Sequence, residues 1–131
     1  MGAVRPAKGL RGLSMMRLKL WVPVIGWMAV MIALSSIPGK ELPEVVLPNI
    51  DKIAHFIEYA ILGFLLARAI FKSGFKSGSL AVFIIAVAIA VVFAAFDEWH
   101  QSFVPGRNTD MIDFMFDMFG SLTGIFIYRR V

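Results

Sequence analysis

Four long apolar stretches divide this sequence, and they constrain its fold more than any other feature. They lie at about residues 20–37, 53–71, 80–96 and 111–128. Each approaches the length of about 20 apolar residues that an α-helix needs to cross a bilayer. Hydrophobic residues make up 59% of the 131-residue chain, a fraction too high for an ordinary soluble domain. The sequence therefore predicts an all-α integral membrane protein, a four-helix transmembrane bundle.

The basic residues are unevenly distributed, and their positions predict the orientation of the bundle. Most of the 13 Lys and Arg residues lie in the leader at residues 1–19, in the segment 68–76 and at residues 129–130. Segments rich in Lys and Arg stay on the cytoplasmic side of a membrane. With an even number of spans, both termini are expected inside, an arrangement written N-in/C-in. We therefore expect a multi-pass protein of the plasma membrane.

The acidic residues occupy the opposite side of this predicted topology. All nine of them lie between Glu41 and Asp117, and most fall in the segments 38–52 and 97–110. These are the two segments that the N-in/C-in arrangement places outside. We therefore expect a polar site that faces the outside and meets membrane lipid or an amphiphilic ligand.

The N-terminal region can be divided in more than one way. We place a basic cytoplasmic leader at residues 1–19 and the membrane domain at residues 20–131. The small-x-small pattern at residues 33–35 is also typical of a signal-peptide cleavage site. The apolar run before it is longer than the core of roughly 7–15 residues usual for a signal peptide, which favours a membrane span. Met15 or Met16 is an alternative start of translation.

Composition excludes several classes of function. The chain has no cysteine, which rules out disulfides, thiol catalysis and cysteine-ligated zinc or iron–sulfur sites. The net charge is +4, but the basic residues flank apolar spans instead of alternating with aromatic residues on a soluble face. We therefore expect no nucleic-acid partner, and the lipid of the cytoplasmic leaflet is the expected counter-charge.

The second stretch carries its polar residues on one face. Asp51, His55 and Glu58 are spaced at i, i+4 and i+7, which places them on the same side of a helix, and Tyr59 stands beside them. At the rise of an α-helix, Glu58 lies about 10 Å deeper than Asp51. An acid inside a membrane is functional by default, whereas a histidine there is more often a hydrogen-bonding residue than a metal ligand.

The fourth stretch repeats this arrangement. Asp110, Asp113, Asp117, Gly120 and Gly124 follow one helix face. Asp110 is expected to cap the N-terminus of the helix. The two glycines form a GxxxG step, which favours helix packing within the chain, with a homo-oligomer contact as the alternative.

Glu58 and Asp117 reach a similar depth from two different helices. A charge at the bilayer centre costs about 2.5–3.5 kcal/mol, so both side chains are expected to face the bundle interior. There they share a proton, pair with a cation such as Lys52, His55 or Arg107, or bind a metal. We expect no cofactor, with a divalent metal as the alternative. The candidate metal ligands are His55, Glu58, Asp97, Glu98, Asp113 and Asp117.

The third stretch ends in a group of polar residues. Asp97 and Gln101 are one helical turn apart, whereas Glu98 points in another direction. Arg107 follows a Pro-Gly turn. Its planar guanidinium suits a carboxylate, such as that of Asp97 or Glu98, or a phosphate on a ligand. A bridge that pins the loop and a ligand-binding role are both open for Arg107 at this point.

These motifs, taken in order, resemble the VanZ-like family of small bacterial and archaeal membrane proteins. The resemblance covers about residues 35–124, and the ordered set is more specific than any one motif. The matching residues are Ser35-Ser36-x-Pro38, Asp51-Lys52-x-x-His55-x-x-x-Tyr59, Asp97-Glu98-x-x-Gln101-x-Phe103-x-Pro105-Gly106-Arg107 and Asp113-x-x-x-Asp117-x-x-Gly120.

The resemblance implies a four-helix protein of the cell envelope. The namesake of the family is linked to low-level resistance to the glycopeptide teicoplanin, so a resistance role is an expectation for this chain. One position departs from the family pattern, because Asp117 stands where the family usually places Asn. The paired donor and acceptor of an amide are therefore not carried over to this position.

Two hypotheses of function follow. In the first, a non-enzymatic protein binds or excludes an amphiphile, with Lys52 and Arg107 on an anionic headgroup and Trp99 and Phe103 on the lipid portion. In the second, an intramembrane metal-dependent hydrolase or transferase acts on a lipid-linked substrate, although the chain lacks an H-E-x-x-H motif, a nucleophile elbow and a phosphate loop. We favour the first, with a polar site made of Asp51, Lys52, His55, Glu58, Tyr59, Asp97, Glu98, Gln101, Arg107, Asp113 and Asp117.

Overall fold

The structure is a helical bundle, given by a computed structural model that describes residues 8–42, 50–74 and 79–131. Its four α-helices are α1 (Lys8–Ser35), α2 (Ile50–Lys72), α3 (Ser79–Gln101) and α4 (Met111–Tyr128). A single 3₁₀ turn, Gly39–Glu41, follows α1. Each α-helix contains a stretch long and apolar enough to cross a membrane, and the described residues contain no strand. The predicted all-α, four-helix membrane fold is confirmed.

Three helices extend beyond the predicted apolar stretches, α2 (Ile50–Lys72) only by one to three residues at each end. α1 begins at Lys8, well before residue 20. α3 continues to Gln101, whereas the apolar stretch ends at residue 96. Hydropathy marks the part of a helix that is apolar, but backbone hydrogen bonds continue into the polar residues at a membrane surface. Residues 1–7 of the predicted leader lie outside the described residues.

α2 and α4 form the most closely packed pair of helices. Gly120 and Gly124 of α4 lie directly against α2, where an added methyl group would collide with the backbone carbonyls of Phe56 and Ala60. Gly63 of α2 lies in the same way against the backbone of α4. Small residues let two helices approach closely in a membrane. The GxxxG face therefore packs inside the chain and not against a second copy.

An apolar core fills the half of the bundle beyond Tyr59. Its deeply buried members include Leu62, Leu66, Ile70, Ala86, Ala90, Ala94 and Ile125, each at most 1% exposed. Large apolar side chains also cover the outer surface, among them Val22, Ile25, Leu80, Ile84, Val92 and Phe126. Such a surface is stable only where lipid covers it.

The loop between α3 and α4 is fastened to the end of α1. Gly39 N donates to Pro105 O at 3.0 Å. The backbone of Gly39 lies against Gly106, whose φ of 76° is easily adopted only by glycine. Ser36 Oγ and His100 Nε2 are 2.9 Å apart. The ends of α1 and α3 thus lie together with the starts of α2 and α4, and we call this part of the molecule the polar end.

Candidate functional site

At the polar end, Lys52 joins the start of α2 to the start of α4. Its Nζ lies 2.8 Å from Asp113 Oδ1, 3.4 Å from Asp51 Oδ2 and 3.6 Å from Asp110 Oδ2. The side chains of Lys52 and Asp113 are only 14% and 9% exposed. Asp110 also caps α4, accepting from Ile112 N at 2.9 Å, as its position predicted. One ammonium group therefore faces three carboxylates, which leaves it little capacity for an external anion.

One turn deeper, His55 of α2 pairs with Asp117 of α4. Nδ1 of His55 lies 2.9 Å from Oδ1 of Asp117. The Asp117 side chain is 0% exposed and the His55 side chain 11% exposed. Among the described ion pairs none joins Asp117 to Glu58. The sequence left several partners open for Asp117, and His55 is the one that contacts it in the structure.

Glu98 reaches the same pair of residues from α3. The ligand atoms of His55, Glu98 and Asp117 all lie within 4.8 Å of one another. The sequence had indicated only that Glu98 points away from Asp97 and Gln101. Three helices thus contribute one side chain each to a cluster that we call the His55–Glu98–Asp117 group.

Buried polar atoms without a hydrogen-bond partner are concentrated in this region. Among the described residues they are Tyr59 Oη, Asp97 Oδ1, Glu98 Oε1, Asp117 Oδ2 and Ser121 Oγ. An unpaired buried polar group costs about 1–3 kcal/mol, so native proteins keep few of them. Their concentration indicates a site that is completed by a proton, an ion or a ligand.

Arg107 is held by the end of α1 and not by a carboxylate. Its Nε donates to Ile37 O at 3.1 Å, and its Nη2 donates to Leu34 O at 3.0 Å. The last carbonyl groups of a helix lack intrahelical partners and carry partial negative charge, so a guanidinium group stabilises them. The bridge from Arg107 to Asp97 or Glu98, one of the two predicted alternatives, is absent from the described ion pairs.

A cavity of about 500 Å³ lies between α1 and α2 at the polar end, and we call it the α1–α2 cavity. Its lining residues are Leu34, Ser35, Ile37, Leu42, Ile50, Asp51, Ala54, His55, Glu58, Gln101 and Arg107. Trp27 Nε1 of α1 donates to Glu58 O at 2.9 Å and ties the two helices together below the rim. Glu58 thus belongs to the wall of this cavity, on the same side of α2 as His55.

A second cavity, of about 300 Å³, lies between the end of α3 and the start of α4, and we call it the α3–α4 cavity. It is lined by Ala95, Glu98, Thr109, Asp110, Met111 and Phe114. Glu98 therefore borders this cavity, while His55 borders the α1–α2 cavity. One member of the buried group thus lines each cavity, whereas Asp117 lines neither.

Several residues of the cavity wall were not predicted from the sequence. Leu34, Ile37 and Ala54 are ordinary apolar residues of α1, its C-terminal extension and α2. Trp27 is not among the predicted site residues either, yet its indole N–H donates from α1 to a backbone carbonyl of α2. No local signal marks these residues, because they come together only through the packing of α1 on α2.

The family of this chain is identified by a match over nearly its whole length. A family model, VanZ/LLP1, matches residues 12–131, nearly the entire chain. The chain belongs to the VanZ/LLP1 family. The resemblance drawn from the motifs is confirmed, and with its four membrane-spanning helices the chain is a VanZ-like multi-pass membrane protein. No curated protein and no solved structure matches it.

The site residues of this VanZ/LLP1 chain fall into three places. The first is the charged network of Asp51, Lys52, Asp110 and Asp113. The second is the His55–Glu98–Asp117 group, with Tyr59 and Asp97 buried in the same region. The third is the polar part of the α1–α2 cavity, formed by Glu58, Gln101 and Arg107 together with His55 and Asp51.

Proposed function

We propose that this VanZ-like protein binds or excludes an amphiphile at the polar end of its helices. The amphiphile is an envelope lipid or a lipoglycopeptide such as teicoplanin, and binding of the latter would confer tolerance. The basic residues at 68–76 and 129–130 support an N-in/C-in orientation in the plasma membrane, with the polar end outside. Four apolar helices also suit a protein whose ligand partitions into the bilayer.

The mixed lining of the α1–α2 cavity is the observation that carries this proposal. Its volume of about 500 Å³ is in the range of small-molecule sites. One part of its wall is apolar and consists of Leu34, Ile37, Leu42, Ile50 and Ala54. The other part is polar and includes Ser35, His55, Glu58, Gln101 and Arg107. An amphiphile has the same division between an apolar tail and a polar headgroup.

Arg107 is the cation best suited to an anionic headgroup in this cavity. The carbonyls of Leu34 and Ile37 fix two of its nitrogens, so the guanidinium is preorganised and Nη1 remains for a ligand. Lys52 was also expected to engage the headgroup, but its contacts with three carboxylates argue against that role. Arg107 is therefore the cation that we assign to the anionic headgroup.

Protection against thermal unfolding tests this proposal. The purified protein is heated in detergent micelles with teicoplanin, with vancomycin as a glycopeptide without a lipid tail, or with an anionic phospholipid. We expect teicoplanin or the phospholipid to raise Tm, and vancomycin to have no effect. The variant Ala54→Phe fills the cavity and should abolish the rise. Ala88→Phe adds the same ring at an exposed position of α3 outside the cavity lining and should retain it.

Equal protection of wild type and Ala54→Phe would place the ligand elsewhere and contradict the assignment to the α1–α2 cavity. Antibiotic susceptibility tests the resistance role separately, in a sensitive Gram-positive host with matched membrane levels of each variant. Tolerance to teicoplanin but not vancomycin, lost in Ala54→Phe, is the expected result. If the wild-type protein has no effect on susceptibility, the antibiotic is excluded as the ligand and an envelope lipid remains.

A further inference from the structure

The His55–Glu98–Asp117 group presents three metal-ligating atoms from three different helices. These atoms lie within 4.8 Å of one another. Zn²⁺ binds imidazole nitrogen and carboxylate oxygen at about 2.0–2.2 Å, so small side-chain rotations bring all three atoms onto a single ion. The amphiphile proposal makes no use of Glu98 or Asp117.

A second observation points to a positively charged occupant. The Asp117 side chain is 0% exposed, and its Oδ2 has no partner among the described residues. Glu98 Oε1 and the hydroxyl of the fully buried Tyr59 also lack a hydrogen-bond partner among the described residues. A buried carboxylate oxygen without a donor needs a cation or a proton, because burial of an uncompensated charge is costly.

Of the other Lys and Arg side chains at this end of the molecule, Lys40 is exposed and two are engaged elsewhere. Lys52 lies among the carboxylates of the network near the surface. Arg107 donates to backbone carbonyls at the end of α1. Among the described ion pairs His55 is the partner of Asp117, and one imidazole cannot balance the carboxylates of Glu98 and Asp117 together.

We propose that a divalent transition-metal ion of the zinc or manganese type binds to His55, Glu98 and Asp117. One imidazole nitrogen with two carboxylate oxygens suits these ions better than Mg²⁺, which prefers oxygen ligands and keeps several waters. Three protein ligands leave a coordination position open. The proposal goes beyond amphiphile binding, and it names the ion that the alternative function, a metal-dependent hydrolase or transferase, requires.

The group has the access that an exchangeable ion needs. His55 borders the α1–α2 cavity and Glu98 borders the α3–α4 cavity. Two of the three ligands therefore line cavities, which supply the entry route that a metal site needs. A phosphate headgroup in the α1–α2 cavity would lie beside one of the ligands of the ion.

Metal binding to the purified full-length protein tests this site directly. The protein is prepared in detergent, stripped with a chelator and titrated with Zn²⁺, Mn²⁺ and Mg²⁺ by calorimetry, and the bound metal is counted by mass spectrometry. We expect about one transition-metal ion per chain. Glu98→Gln and Asp117→Asn each remove a ligand and should weaken binding by more than about tenfold. Glu41→Gln makes the same substitution at an exposed acid outside both the group and the cavity lining, and should leave the affinity within twofold.

Two results would overturn the proposal. The first is a wild-type protein that keeps its helical circular dichroism but binds no transition metal, since its buried carboxylates would then hold protons. The second is an equal loss of affinity in Glu41→Gln and Glu98→Gln, which would place the ion elsewhere. Glu98 is only partly buried, so Glu98→Gln tests the site even if Asp117→Asn fails to fold. No lipid or antibiotic enters this experiment, and its outcome is independent of the amphiphile proposal.

Discussion

At the polar end α2 and α4 are joined by charged pairs, whereas in the apolar core the same two helices are joined by backbone contact at glycines. Lys52 with Asp113 and His55 with Asp117 make the first set of contacts. Gly124 against the backbone of Ala60 is typical of the second. One pair of helices thus depends on electrostatic pairing at one end and on steric fit at the other.

The difference separates the part of the molecule that provides stability from the part that provides chemistry. The apolar core is filled by side chains such as Leu62, Leu66 and Ile70, which are almost completely buried. The polar end instead contains carboxylate oxygens that have no partner among the described residues. Proteins keep such local defects mainly where a site needs them. The glycines of α4 serve both parts, because they set the separation at which the charged pairs meet.

The largest expected effect on stability comes from disturbing the contact between the glycines of α4 and the backbone of α2. Gly124→Ala places a methyl group against the backbone of Ala60, which cannot move away as a flexible side chain could. We expect a loss of about 3 kcal/mol of unfolding free energy, the upper part of the range for overpacking. Steric-trap unfolding in micelles or bicelles measures it. Gly26→Ala is the matched control, because nothing lies within 4 Å of the added methyl group. Helix propensity favours alanine at both positions, so a similar change in the two variants would show that contact with α2 does not set the cost.

The next effect belongs to the polar end alone. Lys52→Met removes the ammonium group and leaves Asp113, Asp51 and Asp110 close together without it. We expect a loss of about 2 kcal/mol, less than for a fully buried pair because two of the carboxylates are partly exposed. The double variant Lys52→Met with Asp113→Leu should recover about half of the loss, since no uncompensated charge of that pair remains. A double-mutant cycle on unfolding free energies measures the coupling, and an additive result would mean that the pair contributes nothing.

A smaller effect, of opposite sign, is expected at the buried group. Glu98→Met removes a carboxylate oxygen that has no partner among the described residues. Without metal, this substitution should stabilise the protein by about 1 kcal/mol, because an unpaired buried polar atom is lost. Unfolding in the presence of a chelator measures the change, and Glu41→Met, at an exposed residue, should lie within about 0.5 kcal/mol of wild type. Destabilisation by Glu98→Met would show that its carboxylate already has a favourable partner at the polar end.

The sequence predicted the parts of the structure that depend on composition and helical period. Four apolar stretches specified four helices, and the ordered motifs specified the VanZ-like family. The i, i+4 spacing also placed Asp113 and Asp117 on one face of α4, where the structure has both buried. The ends of α1 and α3 were predicted less well, because hydropathy does not register helical turns made of polar residues.

Pairing between helices could not be read from the sequence. His55 contacts Asp117 because the glycines fix the register of α2 against α4. The direction of Glu98 toward that pair depends on the position of α3, which no spacing encodes. Arg107 is bound by backbone carbonyls, and every residue type offers one, so its partners left no mark in the sequence. The sequence thus identified the polar residues individually. The tertiary structure was needed to assign each of them to the charged network, the His55–Glu98–Asp117 group or the α1–α2 cavity.

The smallest expected effect concerns the hydrogen bond that attaches α1 to α2. Its removal tests whether the α1–α2 cavity and the His55–Glu98–Asp117 group act as one site. Trp27→Phe removes the hydrogen bond from Nε1 to Glu58 O while keeping an aromatic ring. Interhelical hydrogen bonds in membranes average about 0.6 kcal/mol, so we expect a loss of that size in unfolding free energy. Trp21→Phe is the matched control, because the described hydrogen bonds include none from the Trp21 indole. Protection by the amphiphile should fall in Trp27→Phe while metal affinity stays unchanged, because α1 walls the cavity but supplies no ligand to the His55–Glu98–Asp117 group. If both responses fell together, the cavity and the group would have to be treated as a single coupled site.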